Sequence, residues 1–284
     1  MASPRSRNWL STPGQDGVNT AASGKPNAEY CEHCLNTNDP TAGSCSVTSY
    51  NDYNNWVDST GNPMPFTPQE VYTEGDTINV SSNMATHHNG HIEIIYCGLN
   101  ESGGVYTPIC FDGNYLTFVE DVGVYNAQGV LMDPADPSKN WLKMPPDSSY
   151  PERGHLSAGQ SAGFGYYYTM TFKLPSGVSG DQIMLQWTYI TANSCSPYGY
   201  IEYFSNLSNP YQSYWSTGLS AICTRSCYED GTCISAFNED GERGTNMPER
   251  FFDCAEVRSF LVTALVPQPL LQRLRLQPLN RPLQ

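Results

Sequence analysis

Ten cysteines, at positions 31, 34, 45, 97, 110, 195, 223, 227, 233 and 254, are spread along this chain of 284 residues and constrain its fold more than any other feature. An even set scattered this way suits an oxidising compartment, where disulfides staple long loops; a cytosolic chain would need a metal or redox reason to carry it. Cys31-Glu32-His33-Cys34 has the form of half a zinc site, and Cys223-Thr224-Arg225-Ser226-Cys227 with Cys233 could supply a second half. The separation between these pairs is far longer than in a compact finger, so disulfides are the better account.

Stapled loops need a scaffold, and the periodicity points to strands. His91 to Cys97, Tyr166 to Leu174 and Ile183 to Ile190 are short, rich in β-branched and aromatic residues, and bounded by turn residues. No segment carries a long helical stripe, and there is no internal repeat. The composition agrees: 24 Gly, 21 Pro and 19 Tyr stand against only 15% charged residues. Long connections rich in Asn, Asp, Ser, Gly and Pro run from 51 to 68 and from 195 to 248. Loops of that length argue against a compact strand assignment unless cysteines hold them. The expectation is therefore an all-β, antiparallel sandwich with long disulfide-pinned loops over residues 1–262. Residues 263–284 turn abruptly to Leu, Pro, Gln and Arg; Pro267, Pro269, Pro278 and Pro282 disfavour a helix, and a disordered tail outside the fold is expected.

A formal charge of −14 leaves no basic face for a phosphate backbone, which excludes nucleic acid as a partner. No apolar run approaches the length of a membrane-spanning helix. Asn79-Val80-Ser81, Asn100-Glu101-Ser102 and Asn206-Leu207-Ser208 are glycosylation sequons, which agree with secretion. Against secretion, Met1 to Asn8 contains no apolar stretch that could serve as a signal peptide.

Three of the five histidines sit together in Thr86-His87-His88-Asn89-Gly90-His91, directly before a predicted strand. Neutral imidazole suits Cu, Zn, Fe or Ni, and a loop entering a strand can hold one ring outward. The alternative is a polar loop of hydrogen-bonded histidines. Successive side chains on extended backbone point to opposite faces, so at most one of His87 and His88 is a ligand on a given face. No Gly-x-Ser-x-Gly elbow and no Gly-rich phosphate loop are present. A glycosidase's paired carboxylates are a matter of spatial separation, and Glu120-Asp121 or Glu239-Asp240 would be guesses.

Thr188-Tyr189-Ile190-Thr191-Ala192-Asn193-Ser194-Cys195-Ser196-Pro197-Tyr198-Gly199-Tyr200, followed by Pro248 to Val257, resembles the paired signature of the chitin-binding type-4 family, the lytic polysaccharide monooxygenases. Ser3 to Asn8 resembles the segment after the mature start in eukaryotic, alga-like members, Glu29 to Asn36 their early cysteine segment, and His87 to His91 their histidine loop. The likeness runs from residue 1 to about 262, with the motifs in the family's order.

The resemblance implies a secreted, monomeric copper enzyme on an immunoglobulin-like or fibronectin-III-like sandwich. One copper would be held by the amine and imidazole of an N-terminal His and by an internal His, which the His-x-Gly-His pattern puts at His88, or at His87 if the register slips by one. Phe251 falls at the axial position, and Glu249 where a polar side chain lies beside the oxygen co-substrate. An external electron donor and H₂O₂ or O₂ complete the reaction, in which hydrogen is abstracted from C1 or C4 beside a glycosidic bond. The substrate is a polysaccharide surface, for which Tyr198, Tyr200, Tyr203 and Trp215 are candidate contacts. The resemblance also implies that Cys195 pins the loop after its strand and that Cys254 anchors the final strand. One departure stands out: the first brace histidine is expected about three residues upstream of Met1, so the printed chain is expected to start at an internal Met, with leader and histidine lost together. Copper affinity of such a chain falls strongly. The competing reading is a noncatalytic polysaccharide-binding or copper-binding module of the same fold.

Overall fold

The structure is a computed structural model and describes residues 3–4, 66, 68–83, 87–99, 108–111, 113–126, 128–132, 142–156, 167–193, 195–208, 248 and 250–261. Among the described residues eight strands follow one another: β1 (Glu70–Thr73), β2 (Thr77–Asn83), β3 (His91–Leu99), β4 (Thr117–Tyr125), β5 (Gly154–His155), β6 (Tyr167–Lys173), β7 (Gly180–Ile190) and β8 (Arg250–Phe260). Two short helices described with them, α1 (Pro108–Phe111) and α2 (Tyr200–Asn206), interrupt them. The three segments read as strands from their periodicity are β3, β6 and β7.

The strands form a five-stranded sheet in the order β1-β8-β7-β3-β5 and a three-stranded sheet in the order β2-β6-β4. An entirely antiparallel sandwich was expected, and one pair departs from it: β1 runs parallel to β8, with Glu70 opposite Val257. Parallel pairing needs a long crossover rather than a hairpin, and β1 and β8 lie far enough apart in the chain to allow it.

Alternation decides which residues face inward. Ile78 and Val80 of β2, Phe118 of β4 and Met170 and Phe172 of β6 meet Ile92 and Ile94 of β3, Ile183, Leu185, Trp187 and Tyr189 of β7, and Val257 of β8 in one buried cluster between the sheets. The intervening residues of the five-stranded sheet are covered as well. Cys97, Met184 and Cys254 pack with Phe111 of α1 in a second cluster on its outer face, and α2 buries Tyr200, Tyr203 and Phe204 against Met144 and Ala192. With both faces covered, β7 loses its polar alternation and reads as a near-continuous buried run from Ile183 to Ile190.

Cys97 and Cys110 form a disulfide that ties β3 to α1, and Cys195 and Cys254 are each engaged in a disulfide as well. Glu239 and Asp240 and the tail from 263 lie outside the described residues. Among the described residues no helix is long and apolar enough to cross a membrane.

The Cys97–Cys110 link closes a segment with a sequence separation of 13, for which chain entropy gives about 3 kcal/mol of stabilisation. Cys97→Ala/Cys110→Ala should lower the unfolding free energy in urea by about that amount, and a loss below about 1 kcal/mol would show that this bridge constrains little.

Candidate metal centre

The histidine loop enters β3 through a turn that only particular residues can make. Asn89 has φ 55° and Gly90 φ 97°, both in the left-handed region that Asn tolerates and Gly adopts freely. A Cβ on Gly90 would lie 1.9 Å from the Ile190 carbonyl oxygen, so the loop backbone sits directly on the end of β7.

Hydrogen bonds then fix the loop from several sides. The Ala192 amide donates to the His88 carbonyl at 3.0 Å, and the Leu156 amide to the Gly90 carbonyl at 2.9 Å. The His88 amide donates to the Tyr189 hydroxyl at 2.7 Å, and that hydroxyl donates to the Asn89 carbonyl, also at 2.7 Å. Tyr189 is buried on β7, where it pairs with Phe251 of β8 across the sheet. The two rings are stacked, with centroids 5.6 Å apart and planes 23° from parallel. Phe251 is half-buried at the start of β8.

The two adjacent histidines occupy different environments. His87 lies with its ring centroid 5.5 Å from that of Tyr168, and its Nδ1 accepts the Asn89 amide at 3.2 Å. Burial, then the neighbouring His88, lower its pKa to about 4, so the ring is neutral at pH 7. With Nδ1 accepting, its one proton sits on Nε2 and leaves that nitrogen no free lone pair. His88 is half-buried, and among the described residues no hydrogen bond engages its ring. The His88 imidazole therefore fits a single metal ligand, whereas His87 would have to give up its bond to Asn89 first. Among the described residues no group of three or more His, Cys, Asp or Glu side chains could hold a metal ion.

Behind the loop, on the outer face of the five-stranded sheet, lies a buried polar cluster. His91 pairs with His155 across β3 and β5, and both rings are fully buried. His91 Nδ1 bonds the Tyr200 hydroxyl, and its Nε2 lies 2.9 Å from Glu93 Oε1. Arg153 stacks over the Tyr150 ring at 3.8 Å, stands 3.6 Å from Glu93, and donates from Nη1 to the Tyr198 carbonyl at 2.7 Å. His155 stacks on Tyr203 at 3.9 Å and approaches Asp147 Oδ2 with Nε2 at 3.1 Å. Burial would raise the Asp147 carboxyl, but the His155 hydrogen bond and the Ser149 and Tyr150 amides hold it below the usual range. For His155 burial dominates over the attraction of Asp147 and lowers the pKa.

Two of the expected substrate contacts are corrected by this arrangement. Tyr200 is 1% exposed and Tyr203 7%; their hydroxyls are taken by His91 and by the Pro145 carbonyl, so neither ring offers a face to a polysaccharide. Tyr198, 37% exposed, does reach the surface. Glu249 and Trp215 lie outside the described residues. Sequence reasoning passed over Tyr189, although a buried tyrosine at a strand end needs a partner for its hydroxyl. It also passed over Asn89-Gly90 as a turn, for which that dipeptide is a strong signal.

The family model described as "Lytic polysaccharide mono-oxygenase, cellulose-degrading" matches residues 1–257, and the chain belongs to that family. Among solved structures it is similar to the "Lytic Polysaccharide Monooxygenase AA15 from Thermobia domestica in the Cu(I) State", at 18% identity and a TM-score of 0.34 over 68% of this chain. The match spans 64% of that chain's length. No curated protein matches.

His155 and Asp147 set the acid side of the stability profile. The lowered His155 pKa means that the unfolded chain binds the proton more readily, so its contribution is fully present above about 6.5 and is lost as pH falls below it. Asp147 loses its contribution only at lower pH still, as its folded value is approached. The melting temperature should fall between pH 7 and pH 5, and His155→Gln should flatten that slope, leaving the part that His87 contributes. An unchanged slope would contradict this assignment.

Proposed function

We propose that this chain is the body of a secreted copper-dependent enzyme that oxidatively cleaves glycosidic bonds in an insoluble polysaccharide, with His88 as the internal metal ligand. The observation that carries the reading is the clamped His88: its amide and carbonyl are both bonded, while its ring has no hydrogen bond among the described residues. Rigid backbone under a free imidazole is what a preorganised ligand requires.

Ser3 bridges Ser81 antiparallel, with amide-to-carbonyl bonds in both directions at 3.2 and 2.8 Å, which ties Ser3 to β2, the strand that precedes the histidine loop. Copper, when bound, supplies the one-electron redox chemistry, with an external electron donor and H₂O₂ or O₂ as co-substrate.

The chain's own residues position and shield. Phe251 sets a half-buried aromatic wall beside the loop, and Glu249, two residues before it, is the candidate polar group for the oxygen co-substrate. Tyr198, its backbone held by Arg153, and Trp215 are the candidate contacts to the glycan surface. The disulfides agree with an oxidising, extracellular setting.

The test uses the full-length protein with copper, ascorbate and H₂O₂ on cellulose or chitin, and mass spectrometry of the soluble products. Oxidised oligosaccharides are expected. His88→Ala should abolish them and tight copper binding, whereas His87→Ala should preserve both. The reverse pattern would show that His87 is the ligand, and glycan binding without oxidised products would favour the noncatalytic module.

A further inference from the structure

We propose that Tyr189 is a positioning residue of the copper site, its hydroxyl holding the His88 backbone and its ring holding Phe251, so that one side chain sets the two relative to each other. The inference rests on the reading of His88 as a copper ligand and goes beyond it, because Tyr189 would touch neither metal nor substrate.

Three observations converge on this residue. Its hydroxyl accepts from the His88 amide and donates to the Asn89 carbonyl, both at 2.7 Å. Its ring stacks on Phe251, which the β7–β8 register places directly opposite. Its own position is fixed because it is 2% exposed within a strand paired on both sides, opposite Ile92 on β3 and Phe251 on β8. Packing alone does not require the hydroxyl; a phenylalanine would fill the same volume. The oxygen is spent on two backbone groups that flank the candidate ligand, in a turn where Asn89 and Gly90 both have positive φ. Without it, a half-buried amide and a half-buried carbonyl lose their partner, and the turn loses the bond that holds it against β7.

The His88 backbone is held from both sides: the Ala192 amide donates to its carbonyl, and its own amide donates to the Tyr189 hydroxyl. A change of backbone conformation at His88 must break one of these bonds. Outer groups that orient a metal ligand typically change metal affinity by about 10- to 100-fold when removed.

Tyr189→Phe is the discriminating variant, made in the full-length protein. The first readout needs no metal: hydrogen exchange at the His88 amide should be slow in the parent protein and at least about tenfold faster in Tyr189→Phe, as loss of a protecting bond requires. The second is copper itself: Cu(II) affinity by calorimetry should fall about tenfold, and the Cu(II) EPR g and hyperfine values should shift. Tyr203→Phe removes an equally buried hydroxyl, bonded to the Pro145 carbonyl, and should lower the melting temperature without moving the EPR signal. His88→Ala separates the two claims. If it leaves copper binding intact, the ligand assignment fails and the role of Tyr189 with it. If it abolishes binding while Tyr189→Phe leaves affinity and EPR unchanged, the positioning role alone is overturned. Fast exchange of the His88 amide in the parent protein overturns it even where Tyr189→Phe does not fold.

Discussion

Strand β7 is paired along both edges, to β3 and to β8, and buried on both faces from Ile183 to Ile190; the positions of the histidine loop and of Phe251 follow from it. Its inward residues Ile183, Leu185, Trp187 and Tyr189 fill the space between the sheets. Its last residue, Ile190, presents the carbonyl on which Gly90 rests. Its pairing with β3 determines where the histidine loop must end, and its pairing with β8 determines where Phe251 must begin. Residues about 160 positions apart in the chain are thus brought together by hydrogen-bond ladders rather than by contacts between the functional side chains themselves.

Behind that strand end the protein buries charge, which is costly unless it is paired. His91, Glu93, Arg153, His155 and Asp147 are each less than a tenth exposed, and each has a polar partner. The His155 Nδ1 is an exception among the described residues, since its lone pair meets no donor; a neutral ring bonded to Asp147 through Nε2 is the form this pocket favours. The cluster supports the histidine loop from below, through His91 at the start of β3 and through Leu156, whose amide bonds Gly90. Its Arg153 also reaches the Tyr198 backbone, which ties the exposed tyrosine to the same support.

The strands were legible where burial is two-sided or strictly alternating: β3, β6 and β7 stand out as apolar, β-branched runs. The parallel β1–β8 pair was not, because nothing local in Glu70–Thr73 specifies a partner more than 180 residues away. Tyr200 and Tyr203 were misread as surface aromatics for a related reason. With Phe204 they form an i, i+3, i+4 stripe on a helix of seven residues, too short to stand out from the loop around it, and that stripe faces inward. The histidine loop was legible as a candidate ligand site, and adjacency alone argued that its two histidines differ. What separates them is the Asn89 amide on His87 and the Tyr189 hydroxyl on the His88 backbone, contacts that depend on backbone dihedrals and sheet register and have no sequence signal of their own.

The central proposal is that His88, held from its backbone, is a ligand of a copper site. A crystal structure of the copper-loaded full-length protein tests it most directly. The account predicts one copper ion on the His88 imidazole in the loop that enters the start of β3, with His87 still accepting the Asn89 amide and Tyr189 still bonded to the His88 and Asn89 backbone. Copper bound through His87, or at a place remote from this loop, would contradict it.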